Sequence, residues 1–148
     1  MYSTIVVGTD GSATAAKAVR EASELARAHG ATLHLVHAFH TVSAFASIGP
    51  DAGAAAAAAG AAEAAEAHAN VVLGQAGERA RHDGLPVETH LCCGDPAKAL
   101  LETAEAVGAD LLVVGNKGMS GVRRFVLSSV PSKVSHHSPC SLLIVNTT

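Results

Sequence analysis

The chain has 148 residues, of which 49% are hydrophobic and 16% charged, with a formal net charge of −3 at pH 7. This balance is typical of a folded protein rather than a disordered one, and the length suits one domain, residues 1–148, with a core of its own. Only 3% of the residues are aromatic, which argues against a protein that reads nucleic-acid bases by stacking.

Strand-like and helix-like segments alternate along the chain. Short apolar or β-branched runs predict five strands, at 3–8, 31–39, 85–93, 109–115 and 140–146. Helix-forming residues at helical spacing predict four helices, at 13–29, at about 58–82, over 95–108 and in a last segment ending near 137.

The second helix is placed in an Ala-rich tract because alanine is the strongest helix former and loses no side-chain entropy. Residues 42–57, which precede it, are predicted to form a mobile loop. Asp95 is expected to cap the third helix, with Pro96 at its first position.

Five strands alternating with four helices predict the α/β class, with a single doubly wound and largely parallel sheet and right-handed crossovers. In such sheets ligands bind beyond the carboxyl ends of the strands, near the switch in strand order. The turns GTDGS, GDP and GNKG follow predicted strands at these ends. The sequence therefore predicts a ligand site at the carboxyl edge of the sheet.

Neither a targeting segment nor a membrane span is predicted. The opening MYSTIVVGTD lacks the basic region and long apolar stretch of a signal peptide. No apolar run reaches the roughly 18 residues of a membrane-spanning helix. The chain has three cysteines, and the odd number fits a reducing compartment. We expect a cytoplasmic protein with no membrane or nucleic-acid partner.

The connection after the fourth strand, VVGNKGMSGVRRFVLSSVPSKV (113–134), combines glycines, hydroxyls and cations. Glycine lets a backbone approach a ligand closely, and successive N–H groups form an anion-binding concavity. Residues 111–148 also contain four cations and no Asp or Glu, as an anion site would favour. The segment is neither a Walker A loop nor a G-x-G-x-x-G fingerprint. Taken alone, it is equally consistent with a structural turn.

Three features in combination are more specific: the strand IVVGTDGS, the strand DLLVVG, and a G-x2-G-x9-S-S run before a helix and a last apolar strand. Together they resemble the universal stress protein family, over about residues 2–146. The nucleotide motif of that family, G-x2-G-x9-G-[ST], maps to Gly115, Gly118, Ser128 and Ser129. Three positions match, and Ser128 stands where the family has its third glycine.

The resemblance implies a fold like that of the adenine-nucleotide alpha hydrolases, with strand order 3-2-1-4-5, and a homodimer paired through strand 140–146. It also implies twelve nucleotide-binding residues: Gly8, Thr9, Asp10, Ala38, Val114, Gly115, Asn116, Lys117, Gly118, Ser128, Ser129 and Val130. Residues 8–10 would line adenine and ribose, with Asp10 accepting from a ribose hydroxyl. Ala38 and Val114 would contact the base, and residues 115–118 and 128–130 would hold the phosphates.

The function that the resemblance implies is a stress or signalling module that binds ATP, with Mg²⁺ accompanying it, and hydrolyses it slowly or not at all. No catalytic residue is assigned. Cyclic AMP is an alternative, because Ser128 suits a ligand with one phosphate. An interaction protein without nucleotide is a second alternative, and an adenylating enzyme ranks last because no Ser-Gly-Gly or HIGH-type loop is found.

Asp10 has a second interpretation, as the N-cap of the first helix. His34, His37 and His40 alternate along a strand and its end, so they do not share one face and predict no metal site.

Overall fold

Strands and helices alternate along the part of the chain that the computed structural model describes, residues 1–41, 52–117 and 129–148. The elements are β1 (Thr4–Gly8), α1 (Ala13–His29), β2 (Thr32–Phe39), α2 (Ala52–His82), β3 (Val87–Cys93), α3 (Pro96–Ala106), β4 (Leu111–Gly115), α4 (Val130–His137) and β5 (Ser141–Val145). Each predicted strand and helix is therefore present. None of the described helices combines the length and the apolar character needed to cross a bilayer.

The strands form one parallel sheet in the order β3-β2-β1-β4-β5. The predicted fold class and strand order are confirmed. In the centre of the sheet, Val7 of β1 pairs with Leu35 of β2 on one side and with Val113 of β4 on the other. After β1 the chain adds β2 and β3 on one side of β1, and it then adds β4 and β5 on the other side. The strand order therefore switches between β1 and β4.

Helices cover both faces of the sheet, which is why the central strands are continuously apolar. On one face Ile5 and Val7 pack in a cluster with buried alanines of α1 and with Leu73 of α2. On the other face Val6 packs with residues of α3 and with Val134 of α4. Ile5, Val6 and Val7 are 0% exposed, so β1 is buried on both sides.

The helices start at residues with capping side chains. The hydroxyl of Ser12 accepts from the Ala15 N–H and caps α1, so the interpretation of Asp10 as the N-cap of α1 is wrong. The N-cap is instead Ser12, two residues after Asp10. Asp95 caps α3 by accepting from the Lys98 N–H, with Pro96 in the first turn, as predicted.

The helix α2 begins at Ala52, earlier than the predicted start near residue 58. The prediction of a loop was therefore wrong for residues 52–57, because an alanine-rich run continues a helix at little cost even without tertiary contacts. Residues 53–68 are exposed or half-buried, and burial on this helix begins at Ala69. Residues 42–51 of the predicted loop lie outside the described residues.

The turn between β1 and α1 requires glycine at position 11. Gly11 has a φ of 78°, and a Cβ placed there would lie 2.7 Å from Val72 Cγ1 of α2. We expect Gly11→Ala to lower the free energy of unfolding by at least about 1–2 kcal/mol, the cost of the left-handed conformation alone. Urea denaturation measures the effect.

Gly74, in the interior of α2, provides the matched control. A Cβ there meets open space, so Gly74→Ala should leave stability unchanged or raise it by up to about 1 kcal/mol. Equal stability of Gly11→Ala and the wild type would contradict the assigned strain.

Candidate functional site

The turn after β1 is fixed to the neighbouring strand β2. The Thr9 N–H donates to the Val36 carbonyl at 2.9 Å, and the Thr9 carbonyl lies 2.6 Å from His37 Nδ1. Because a carbonyl can only accept, His37 Nδ1 carries the hydrogen of that bond. Thr9 and His37 are both 8% exposed. The turn therefore has a rigid base, and His37 is a positioning residue that the sequence pattern did not reveal.

The same turn also contains two hydrogen bonds between its own residues. Asp10 Oδ1 accepts from the Ser12 N–H at 2.9 Å, and Thr9 Oγ1 accepts from the Gly11 N–H at 3.2 Å. Asp10 is half-buried and follows β1 at the carboxyl edge of the sheet. A carboxylate oxygen accepts more than one hydrogen bond, so a ligand hydroxyl at this edge can donate to it.

Residues 145–147 are hydrogen-bonded to Asn116, which directly follows β4. Asn116 Oδ1 accepts from the Thr147 N–H at 2.9 Å and from the Thr147 hydroxyl at 2.8 Å. Asn116 Nδ2 donates to Asn146 Oδ1 at 3.1 Å, and the Asn116 N–H donates to the Val145 carbonyl at 2.9 Å. The polar groups of Asn116 that were expected to face phosphates are therefore used inside the protein.

Thr147 and Lys17 also take part in these contacts, and no sequence motif points to either residue. Thr147 is 2% exposed, and its carbonyl accepts from Lys17 Nζ at 3.1 Å. A Cβ at Gly115 would lie 3.1 Å from Thr147 Cγ2. A side chain at position 115 would therefore press against Thr147 and require it to shift by a few tenths of an ångström.

Ala38 and Val114 lie on the face of the sheet that α3 and α4 cover. Ala38 is half-buried near the carboxyl end of β2. Val114 is only 3% exposed, so it belongs mainly to the core and offers little side-chain surface to a ligand. The two residues predicted to contact a base thus lie on the same face of the sheet, but Ala38 is more accessible to a ligand than Val114.

Ser129 and Val130 form the start of α4. Ser129 is the N-cap, and its hydroxyl accepts from the Ser132 N–H at 3.4 Å. Lys133 Nζ of α4 lies 2.7 Å from Asp95 Oδ2 at the start of α3. This ammonium, together with the Lys98 N–H, holds the pKa of Asp95 below its ordinary value. The ion pair ties the starts of the two helices together on one side of the sheet.

The sequence matches the model of the universal stress protein family over residues 1–146. The chain belongs to the universal stress protein family. The universal stress protein Rv1636 of Mycobacterium tuberculosis H37Rv is 39% identical over 150 residues, which cover 99% of this chain and 98% of that protein. The universal stress protein YxiE of Bacillus subtilis is 32% identical, with 98% of this chain and 99% of that protein covered.

Solved structures of the family share the fold. A universal stress protein crystallised in complex with cAMP has a TM-score of 0.76 and 34% identity, over 99% of this chain and 98% of that chain. The universal stress protein UspA of Lactobacillus plantarum has a TM-score of 0.80 and 24% identity, over 98% of each chain.

Within this universal stress protein fold, the predicted site residues fall into three groups. Residues 8–10, 38 and 114–117 lie at or near the carboxyl ends of β1, β2 and β4. Residues 129 and 130 begin α4. Gly118 and Ser128 lie outside the described residues. The structure thus brings the first group to one edge of the sheet.

A separate cavity of about 410 Å³ opens between α1 and α2. It meets the β1–α1 turn at Thr9, Gly11 and Ser12, and its other lining residues belong to α1, α2 and Asp83 just beyond α2. It lies on the α1–α2 side of the sheet rather than across the ends of β1 and β4. We therefore do not assign the predicted nucleotide site of this universal stress protein to it.

Proposed function

We propose that this universal stress protein binds an adenine nucleotide across the carboxyl ends of β1 and β4, as a cytoplasmic stress or signalling module. The observation that carries the proposal is the position of the Thr9–Asp10 turn beside Gly115 at the switch in strand order. Ligands of open α/β sheets bind at that point. Of the twelve residues expected from the family motif, ten are proposed as its binding residues; the exceptions are Val114, which is buried in the core, and Asn116, whose amide and N–H are bonded within the protein.

The hydrogen bonds of the described residues support a division of roles within this site. The N–H groups of Thr9, Gly11, Ser12 and Asn116 donate to acceptors within the protein. Phosphate binding is therefore proposed for the connection that begins at Lys117 and includes Gly118, Ser128 and Ser129. Asp10 and Ala38 are proposed to contact the nucleoside.

Cyclic AMP is the ligand that we favour. A solved relative with 34% identity over nearly the whole chain was crystallised with cAMP. Ser128 in place of the third motif glycine adds a Cβ and a hydroxyl where backbone would approach the outer phosphates of ATP. A ligand with one phosphate avoids that approach and uses the hydroxyl as a donor.

ATP with Mg²⁺ is the second candidate, favoured by Gly115 and Gly118, the two glycines of the motif that are kept. We assign no catalytic residue for its hydrolysis. Calorimetric titration of the purified protein with cyclic AMP, ATP and AMP tests the proposal. If none of the three gives heat or raises the melting temperature, the proposal fails in favour of an interaction protein without nucleotide.

The same fold suggests a dimer. β5 is at one edge of the sheet, and SLLIV is uncharged and β-prone, so as a free edge it would promote aggregation. We propose that strand 140–146 pairs with its copy across a two-fold axis, which removes that edge. Leu143 and Val145 pack against the core, whereas Ile144 is 46% exposed. Ile144 is therefore the residue of β5 best placed to meet a partner.

Asp10→Asn should weaken binding of the nucleotide by about ten- to a hundredfold. A hydrogen bond from a ribose hydroxyl to a charged acceptor contributes roughly 1.5–3 kcal/mol. The asparagine oxygen can still accept from the Ser12 N–H, so the turn is preserved. Calorimetry measures the affinity, and circular dichroism verifies the fold.

Asp110→Asn is the matched control for Asp10→Asn. Asp110 accepts from the Ser3 and Thr4 N–H groups just before β4, at the opposite edge of the sheet. This control should bind the nucleotide as the wild type does. Unchanged affinity in Asp10→Asn would remove Asp10 from the site, and an equal loss in both variants would point to a general effect on the fold.

Ser128→Gly should weaken cyclic AMP by about ten- to a hundredfold and leave ATP binding weak. The loss follows from removing a hydroxyl that donates to a charged phosphate oxygen. Titrations with both ligands measure the change. Tighter ATP binding without a loss for cyclic AMP would instead indicate an ATP site in which the Ser128 side chain keeps the backbone away from the outer phosphates. No change for either ligand would show that residue 128 lies away from the nucleotide.

Ile144→Lys should shift the protein from dimer to monomer, because it places a charge in the proposed strand pairing. Val71→Lys is the matched control, since Val71 is also an exposed apolar residue, at 57%, but lies on α2. Sedimentation velocity at micromolar concentration measures the mass of each variant. A monomeric wild type, or a dimer that persists in Ile144→Lys, would contradict pairing through this strand.

A further inference from the structure

Two histidines and a glutamate meet on β2 and β3, away from the proposed nucleotide site. His34 pairs with Glu88, and Val36 pairs with His90, in the parallel register of the two strands. Residues 34, 88 and 90 therefore have their side chains on one face of the sheet. His34 Nδ1 lies 3.0 Å from His90 Nε2 and 3.6 Å from Glu88 Oε2.

The spacing of these three atoms matches that of ligands around one metal ion. One ligand atom from each residue lies within 4.8 Å of the others. Two ligands bound to zinc at about 2.0–2.1 Å in tetrahedral geometry are separated by about 3.3–3.4 Å. The two separations measured from His34 Nδ1 fall on either side of that value, so both pairs of atoms are near the spacing of ligands on one ion.

The cluster combines one buried ligand with two more accessible ones. The side chain of His34 is 7% exposed, whereas His90 is half-buried and Glu88 is exposed. His34 thus lies on the inner side of the cluster and Glu88 on its outer side.

We propose that His34, His90 and Glu88 bind one Zn²⁺ ion between β2 and β3. Two imidazoles and a carboxylate are a ligand set that zinc takes in proteins, usually with water as the fourth ligand. The side chain of Glu88 is 65% exposed, which leaves the cluster open to solvent for that water and for entry of the ion. The bound ion ties the edge strand β3 to β2.

Zinc titration of the full-length protein tests this proposal, after removal of any purification tag and treatment with EDTA. We expect one equivalent of Zn²⁺ per chain and a higher melting temperature that EDTA reverses. Co²⁺ in the same site should give the visible absorption of a four-coordinate ion with nitrogen and oxygen ligands. His90→Gln should weaken Zn²⁺ binding by at least about a hundredfold, and Glu88→Gln by at least about tenfold.

Two control variants distinguish this site from adventitious binding. His136→Gln removes an exposed histidine outside the cluster. The double variant Cys92→Ser/Cys93→Ser removes two free thiols further along β3. Both controls should keep the full affinity and the cobalt spectrum. Circular dichroism without metal verifies that His90→Gln is folded.

Two results would overturn the proposal. One is a wild type that binds no more Zn²⁺ than folded His90→Gln does. The other is a control variant that loses as much affinity as His90→Gln. Glu88→Gln is a second test at an exposed side chain, which keeps the proposal testable if His90→Gln fails to fold. Neither measurement depends on the nucleotide proposal.

Discussion

The pairing of β1 with β4 is the constraint on which the rest of the structure depends. β1 has strands on both sides and helices on both faces, and its central residues 5–7 are 0% exposed. Because the chain continues from β1 in one direction and returns as β4 on the other side, α1 and α2 cover one face and α3 and α4 the other. The turns that follow β1 and β4 then begin side by side at the switch in strand order, the point where ligands of open α/β sheets bind.

At the carboxyl edge of the sheet, several polar groups are already bonded within the protein. His37 and Val36 of β2 hold the Thr9 backbone, and Asn116 holds the last residues of the chain against β4. A backbone N–H that already donates within the protein is not free for a phosphate. In the proposed nucleotide site we therefore assign the nucleoside to the strand ends and the phosphate to the connection after Lys117, whose sequence is rich in glycine and hydroxyl residues.

The order of elements could be predicted from the sequence because hydrophobic runs and turn residues are local signals, and β1, α1 and Asp95 illustrate this directly. The start of α2 could not, since an alanine run shows no amphipathic pattern that distinguishes packed turns from exposed ones. Ser12 was missed as the cap of α1 because Asp10, Gly11 and Ser12 are all acceptable before a helix. Contacts such as Asn116 with Thr147 depend on strand order and register, which no local pattern encodes.

The histidines of β2 show how one strand serves two different environments. His34 and His37 are three residues apart, so their side chains lie on opposite faces of the sheet. His37 donates to the turn after β1, whereas His34 meets His90 and Glu88 of β3. An alternating histidine pattern along a single strand argues against a metal site within that strand, but a parallel neighbour in register supplies the missing ligands on one face. The relevant unit for such a site is therefore the strand pair, and its ligands become recognisable only once β2 and β3 are aligned.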